Sequence, residues 1–251
     1  MQRVSIIITA FILLTISSCV PKKNIVYFQN DDINQSLANN NYKIIFKPND
    51  LVTITISALN AEAAKPFNLN STKNNNSDVA QPQSYLIDSN GNIEFPILGK
   101  IKLAGKTKIE AISILKSKLD PDYIKNPTIN IKISNFSITV LGDVKNPGKF
   151  LIPNEKVSII EAIGLAGDLN ISGIRNLEVK RIQENTVKTY NLDLRSNKIF
   201  TSPAYYLQQN DIVYIKPNKA ASQSASYNQN TGLFISLGSV IISLITLIIA
   251  K

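Results

Sequence analysis

The sequence predicts an α+β chain: two small β-rich modules in series, one helix in each, and a separate apolar helix at the C-terminus. Three observations predict it. Short segments alternate between apolar and polar residues, as half-buried strands do. Two capping boxes, Thr107 with Glu110 and Ser158 with Glu161, open one helix per module. "FKPNDLVTI" from Phe46 and "LQQNDIVYI" from Leu207 echo one another, each placing an Asn-Asp turn before an alternating strand. Such echoes suit duplicated β units packed one after the other.

The elements follow in order. Residues 1–18 read as a signal peptide. Arg3 supplies the charged start, and 4–16 form an apolar run too short for a comfortable membrane span. Cys19, the only cysteine, follows Ile16, Ser17 and Ser18 in a lipobox-like pattern, which predicts acylation at Cys19. Several acyl chains, at roughly 0.8 kcal/mol per buried CH₂, would hold the chain durably. Val20, Pro21 and Lys22 carry no acidic residue, which favours the outer membrane. Residues 19–41 are then a polar, lipidated linker with one short strand expected over 25–28.

Residues 42–59 read as two strands around "KPND", with Val52, Ile54 and Ile56 facing opposite to Leu51, Thr53 and Thr55. Residues 60–84 are Asn-rich and expected to loop, either as a functional loop or as a tolerated insertion. Leu86, Ile93, Phe95 and Ile97 then surround a tight turn at Asn90-Gly91, a dipeptide suited to a type I′ hairpin. Pro96 confines its strand to an edge or an end. Gly99 and Gly105 flank a short strand at Ile101 and Leu103. The helix opened by Thr107 carries Ile109, Ile112, Leu115 and Leu119 as its apolar stripe, and a strand follows over 128–133.

The second module repeats the plan. A strand leads to a turn at Asn146, Pro147 and Gly148, then a second strand, then the helix after Ser158, with Gly167 placed as its C-cap glycine. Residues 177–182 and 187–190 form a hairpin, 205–215 close the module, and 216–231 read as a linker. The uncharged tail over 233–250 would span about 27 Å as a helix, close to a hydrocarbon core of about 30 Å. Ser236, Ser239 and Ser243, with Gly232 and Gly238, give it a small-residue face suited to packing in a membrane.

Two motifs carry a family resemblance. Gly91, Pro96, Gly99, Gly105, Thr107, Glu110 and Ala111 resemble the polysaccharide-export domain of Wza-type outer-membrane exporters. Gly142, Val144, Pro147, Gly148, Glu161, Ala162 and Gly167 resemble the β-grasp-like SLBB (soluble-ligand-binding β-grasp) domain that follows it in that family. The resemblance implies an export domain over 42–135, an SLBB domain over 136–217, a linker over 218–231 and a single transmembrane helix over 232–250. It implies a lipid-anchored outer-membrane protein with its globular part in the periplasm. It further implies a homo-oligomeric ring, of eight subunits in the best-studied members, that conducts a capsular or extracellular polysaccharide. An inner-membrane polysaccharide co-polymerase, often joined to a tyrosine kinase, is the implied partner. Exporters of this kind have amphipathic pore helices, whereas this tail is apolar nearly all round. Pore wall and plain anchor therefore both stay open.

Composition narrows the chemistry. There is no histidine and only one cysteine, which together exclude His/Cys zinc and iron–sulfur sites as well as Ser-His-Asp and Cys-His catalysis. Glu94, Asp88, Asp143 and Glu161 are the carboxylates available for acid–base work, but a turn accounts for Asp88 and a cap for Glu161. "GLAG" from Gly164 lacks the ending of a phosphate loop. No enzyme and no cofactor is expected. The net charge of +9 comes from 27 basic residues spread along the chain, which points away from nucleic acid. Tyr190, Tyr205 and Tyr206 are candidate sugar contacts, although tyrosines also suit half-buried strands. The rival to a conduit is a membrane-anchored periplasmic polysaccharide-binding scaffold without a pore.

Overall fold

Alternation sets the first sheet. In strand β1 (Leu51–Ser57), Val52, Ile54 and Ile56 are buried while Leu51, Thr53 and Thr55 face outward. The computed structural model describes residues 22–29, 42–69, 83–183, 186–225 and 231–249. The leader over 1–18, Cys19 and residues 70–82 lie outside them. After β1 comes helix α1 (Ala61–Ala64) and a 3-10 turn (Lys65–Phe67), where a loop was expected. The reason is local packing. Ala64 and Phe67 enter the core, and the Asn68 side chain satisfies both the N–H and the C=O of Ile56, at 2.8 and 2.9 Å.

Strand β2 (Tyr85–Leu86) pairs with β1, whereas the sequence suggested a hairpin with the next strand. Strand β3 (Asn92–Phe95) instead pairs with β4 (Gly99–Lys102). The turn before β3 is not type I′ either. Gly91 takes φ +82°, but Asn90 is not among the positive-φ residues. Asp88 dictates this turn: its carboxylate accepts the Asn92 N–H at 2.8 Å and its carbonyl accepts the Gly91 N–H at 2.9 Å. Strand β3 ends just before Pro96, as a missing ladder donor requires. Helix α2 (Lys108–Leu119) follows, with both halves of the Thr107/Glu110 capping box formed. Its buried positions are Ala111, Leu115 and Leu119; Ile109, expected in that stripe, is 77% exposed. Strand β5 (Thr128–Ile133) completes the sheet in the order β2-β1-β5. Of the two strands expected around "KPND", only β1 forms; the earlier segment makes a single bridge, Ile45 to Thr107.

The second unit is a five-stranded sheet. Strands β6 (Ser137–Gly142) and β7 (Gly148–Leu151) form a hairpin, and helix α3 (Ile159–Leu165) follows the Ser158/Glu161 capping box. Gly167, at φ +76°, closes that helix: its N–H bonds Gly164 O, and the next N–H reaches Ile163 O. This is the Schellman pattern. Strands β8 (Asn176–Gln183) and β9 (Thr186–Asp193) form the expected hairpin, and β10 (Ile212–Ile215) enters between β6 and β8. The order is β7-β6-β10-β8-β9, with β6 and β10 parallel at the centre. Gly142 is demanded here. It has φ +96°, and a Cβ would lie 1.9 Å from Ile215 O.

The echoed phrases fold alike. Asn49 and Asn210 take φ +70° and +63°. The carboxylates of Asp50 and Asp211 accept the N–H of Lys47 and of Gln208, both at 2.8 Å. Both aspartates are buried. Buried residues of the two units join in one hydrophobic cluster.

At the N-terminal side, 25–28 form no strand. After a 3-10 turn (Lys22–Asn24), Phe28 N–H bonds Leu194 O at 3.0 Å and Gln29 N–H bonds Arg195 O at 2.7 Å, while Phe28 takes φ +54°. At the other end, the expected linker contains helix α4 (Lys219–Ala225). Helix α5 (Thr231–Ile249) forms over the apolar tail. The expected transmembrane helix over 232–250 is nevertheless not supported, because among the described residues no helix is long and apolar enough to cross a membrane. Ser239 and Ser243 hydroxyls bond back to the carbonyls of Ser236 and Ser239, which satisfies them within the helix.

Candidate functional site

The two units meet along a strap, residues 42–47. Phe46 is buried and anchors the strap to the first unit, its N–H bonding Lys106 O at 3.0 Å and its C=O accepting Gly105 N–H at 2.9 Å. At the other end the Tyr42 hydroxyl reaches the second unit, shared between the carbonyls of Glu155 at 3.1 Å and Leu207 at 3.2 Å. Lys108 of α2 forms an ion pair with Glu155 across the same joint.

Tyr205 and Tyr206 are set beside this joint by their neighbours. Ala204 and Leu207 are fully buried, which leaves the two tyrosines half out. Ile159 N–H bonds Tyr205 O at 2.8 Å, and Leu207 N–H bonds Val157 O at 2.9 Å. This short pairing brings Tyr206 against Lys156. The ammonium of Lys156 sits 3.5 Å from the centroid of the Tyr206 ring and 5.9 Å from that of Tyr42. The rings of Tyr42 and Tyr206 are 5.5 Å apart, and those of Tyr205 and Tyr206 are 4.9 Å apart. The row continues through Phe200 and Phe28 to Tyr27, whose hydroxyl donates to Asp168 Oδ1 at 2.7 Å.

Between the strap, the first turn of α2 and residues 155–156 lies a groove of about 510 Å³. Ile44 and the exposed Ile109 line it with apolar surface. Its charges are partly committed. Glu110 holds the N–H and hydroxyl of Thr107, which keep its carboxyl below the usual glutamate range. Glu155 holds Lys108. Burial, and then the nearby Asp211 charge, push the Tyr42 phenol up to about 12. Burial likewise raises Tyr205. Both phenols are therefore neutral at physiological pH. A second hollow, of about 520 Å³, lies on the outer face of β1 and β5, where Thr53, Ser84 and Ser134 form a hydroxyl cluster.

The structure brings Tyr205 and Tyr206 together and leaves Tyr190 apart, against Arg181 and Lys188. Tyr42 and Lys156 were not singled out in the sequence, and Ile109 was assigned only to the helix stripe. No sequence signal marked them, since Ile109 read as part of the helix stripe and its exposure appears only in the structure. The glycines of the first motif do not line this groove; Gly91 packs against Ala104, where a Cβ would come within 2.5 Å. Among the described residues no cluster of His, Cys, Asp and Glu could hold a metal.

The groove offers recognition chemistry: an aromatic ring, ammonium groups and apolar surface gathered at the joint of the two units. Residues 38–134, which include the strap, β1 to β5 and α2, match the family described as polysaccharide biosynthesis/export protein. Through that segment the chain is similar to this family, in keeping with its resemblance to Wza-type exporters. It is also similar to two proteins named EPS I polysaccharide export outer membrane protein EpsA. The one from Ralstonia solanacearum is 24% identical over 138 residues, covering 54% of this chain and 36% of the relative. The one from Ralstonia nicotianae is 28% identical over 99 residues, covering 38% of this chain and 26% of the relative. The match thus spans about a third or less of these relatives' own length. Both relatives are named as polysaccharide export proteins.

Proposed function

We propose that this chain serves polysaccharide export at the outer membrane, as a lipid-anchored subunit of an oligomeric conduit. The observation that carries this reading is the family match over 38–134, because those residues build the first sheet, the strap and one wall of the groove. The outer-membrane placement is supported by the names of both relatives. The SLBB reading of 136–217 is supported by the strand order β7-β6-β10-β8-β9. Renumbered within the unit it is 2-1-5-3-4, with first and last strands parallel and a helix following the first hairpin, the arrangement of a β-grasp. In this reading Cys19 carries the acyl chains, the globular part lies in the periplasm, and an inner-membrane co-polymerase supplies the polymer. The glycines and caps of the two motifs hold the units in shape.

Deleting the gene and measuring surface polysaccharide tests the role; export unchanged in a strain with no second exporter would overturn it. The mass of the detergent-purified protein tests the conduit. A ring gives a mass many times that of one subunit. A monomer favours the other reading, a membrane-anchored polysaccharide-binding scaffold, for which the groove at the joint is the specific support. A labelled fatty acid that enters the wild type but not Cys19→Ser tests the anchor.

A further inference from the structure

We infer that the groove between the strap and α2 is a binding site for an acidic polysaccharide, with the Lys156 ammonium receiving a sugar carboxylate. The inference rests on the export reading for its class of ligand. The rest of the argument is geometric. Lys156 lies against the Tyr206 ring at 3.5 Å. An aromatic face orients an ammonium without neutralising it, so the charge is held in place and still available. Both groove carboxylates are engaged within the protein, Glu155 by Lys108 and Glu110 by Thr107. Lys43, on the strap side, and Lys156, on the opposite side, make no ion pair among the described residues. Lys43, Lys108 and Lys156 against Glu110 and Glu155 leave the groove's lining with a net charge of +1.

Its apolar surface fits the same ligand. Ile44 and Ile109 offer apolar surface to the C–H faces of a sugar ring, and Ile109, on the helix face away from Ala111, Leu115 and Leu119, is 77% exposed. The volume of about 510 Å³ lies within the roughly 300–1,000 Å³ of specific ligand clefts. The groove is open at its mouth, as a chain longer than its binding site requires. Both units contribute: Lys43, Ile44 and Ile109 from the first, Glu155 and Lys156 from the second. The site therefore needs both units.

The test is calorimetric titration of the full-length protein, in non-ionic detergent, with hexagalacturonate as the acidic probe and maltohexaose as the neutral one. The expected result is binding of hexagalacturonate, weakened by added salt, and at least tenfold weaker binding of maltohexaose. Lys156→Gln weakens hexagalacturonate binding at least fivefold with an unchanged melting temperature. Lys188→Gln, which removes another lysine lying over a tyrosine but far from the groove, changes it less than twofold. The inference is overturned by no hexagalacturonate binding, by equal binding of the neutral probe, by Lys156→Gln binding like wild type, or by equal loss in both variants. Phosphatidylglycerol vesicles that bind through Lys156 in preference to hexagalacturonate also overturn it, and would reassign the groove to lipid. Export assays separate the two readings. A deletion strain that exports normally sinks the export role and leaves a measured hexagalacturonate site standing. A strain that loses export, while Lys156→Gln protein binds like wild type, sinks the site alone.

Discussion

Asp50 and Asp211 occupy the same step of the same turn, one before each echoed strand, and only Asp211 faces an arginine. Arg181 grips Asp211 with Nη2 at 2.7 Å and Nε at 3.0 Å, and both groups are almost wholly buried. Asp50 is equally buried, but its nearest charged neighbour is Lys47, and desolvation raises its carboxyl above the usual aspartate range. The same substitution should therefore have opposite effects. Asp211→Asn strands a buried guanidinium and should cost about 3–5 kcal/mol. Asp50→Asn keeps the acceptor for Lys47 N–H and removes a charge that the fold disfavours. Because the folded pKa of Asp50 lies above its unfolded value of about 3.9, its favourable contribution is full below that value and is lost as pH rises through the folded one. Asp50→Asn should thus match wild type near pH 4 and melt higher at pH 7. Melting curves across that range check it; a lower melting point at pH 7 would contradict it.

Gly142 and Gly148 bracket the β6–β7 turn and should respond differently to a methyl group. At Gly142 it would strike Ile215 O, and φ is already +96°. Gly142→Ala should cost more than about 2 kcal/mol. Nothing lies within 4 Å of the Cβ position at Gly148, so Gly148→Ala should change stability by less than about 1 kcal/mol in either direction. Urea unfolding of the two variants decides it.

Tyr42→Phe keeps the ring beside Tyr206 and deletes the hydroxyl that ties the strap to Glu155 and Leu207. A loss of about 0.5–1.5 kcal/mol is expected. Lys108→Gln, which removes a solvent-exposed partner across the same joint, should cost under about 1 kcal/mol and lose that effect in high salt. Faster proteolysis within the strap of Tyr42→Phe, and not of Lys108→Gln, is the accompanying readout.

Ser158→Ala removes a cap whose hydroxyl meets Glu161, and should destabilise by about 1 kcal/mol. At the other capping box, Glu110 has its folded pKa lowered, first by the Thr107 N–H and then by the Thr107 hydroxyl. Its contribution is present above the unfolded carboxyl pKa and fades as pH falls through the folded one. Glu110→Gln should flatten that part of the acid limb of stability, measured by melting between pH 3 and 6.

Much of the architecture was legible because it is local. Alternation exposed β1 and β5, the Thr107/Glu110 and Ser158/Glu161 spacings marked both helix starts, and the Asn-Asp echo marked two turns that fold alike. What the sequence hid is what depends on distant partners. Tyr85 and Leu86 had two possible neighbours, and the choice of β1 over β3 is settled by Val52 and Leu51, more than thirty positions upstream. Residues 60–84 as a whole looked too polar to order, yet Asn68 fastens the 61–67 part of them to Ile56. At the site, Tyr205 and Tyr206 were conspicuous as a pair, whereas Tyr42 and Lys156 carry no motif. They become neighbours only because the strap crosses the joint, joining Tyr42 to a carbonyl 165 positions away.

The strap has a mechanical corollary. One peptide both fastens the two halves and walls the trough beside it. On the inferred binding role, grip and alignment are then a single variable: whatever loosens Tyr42 from Glu155 and Leu207 also reshapes the wall against which the polymer lies.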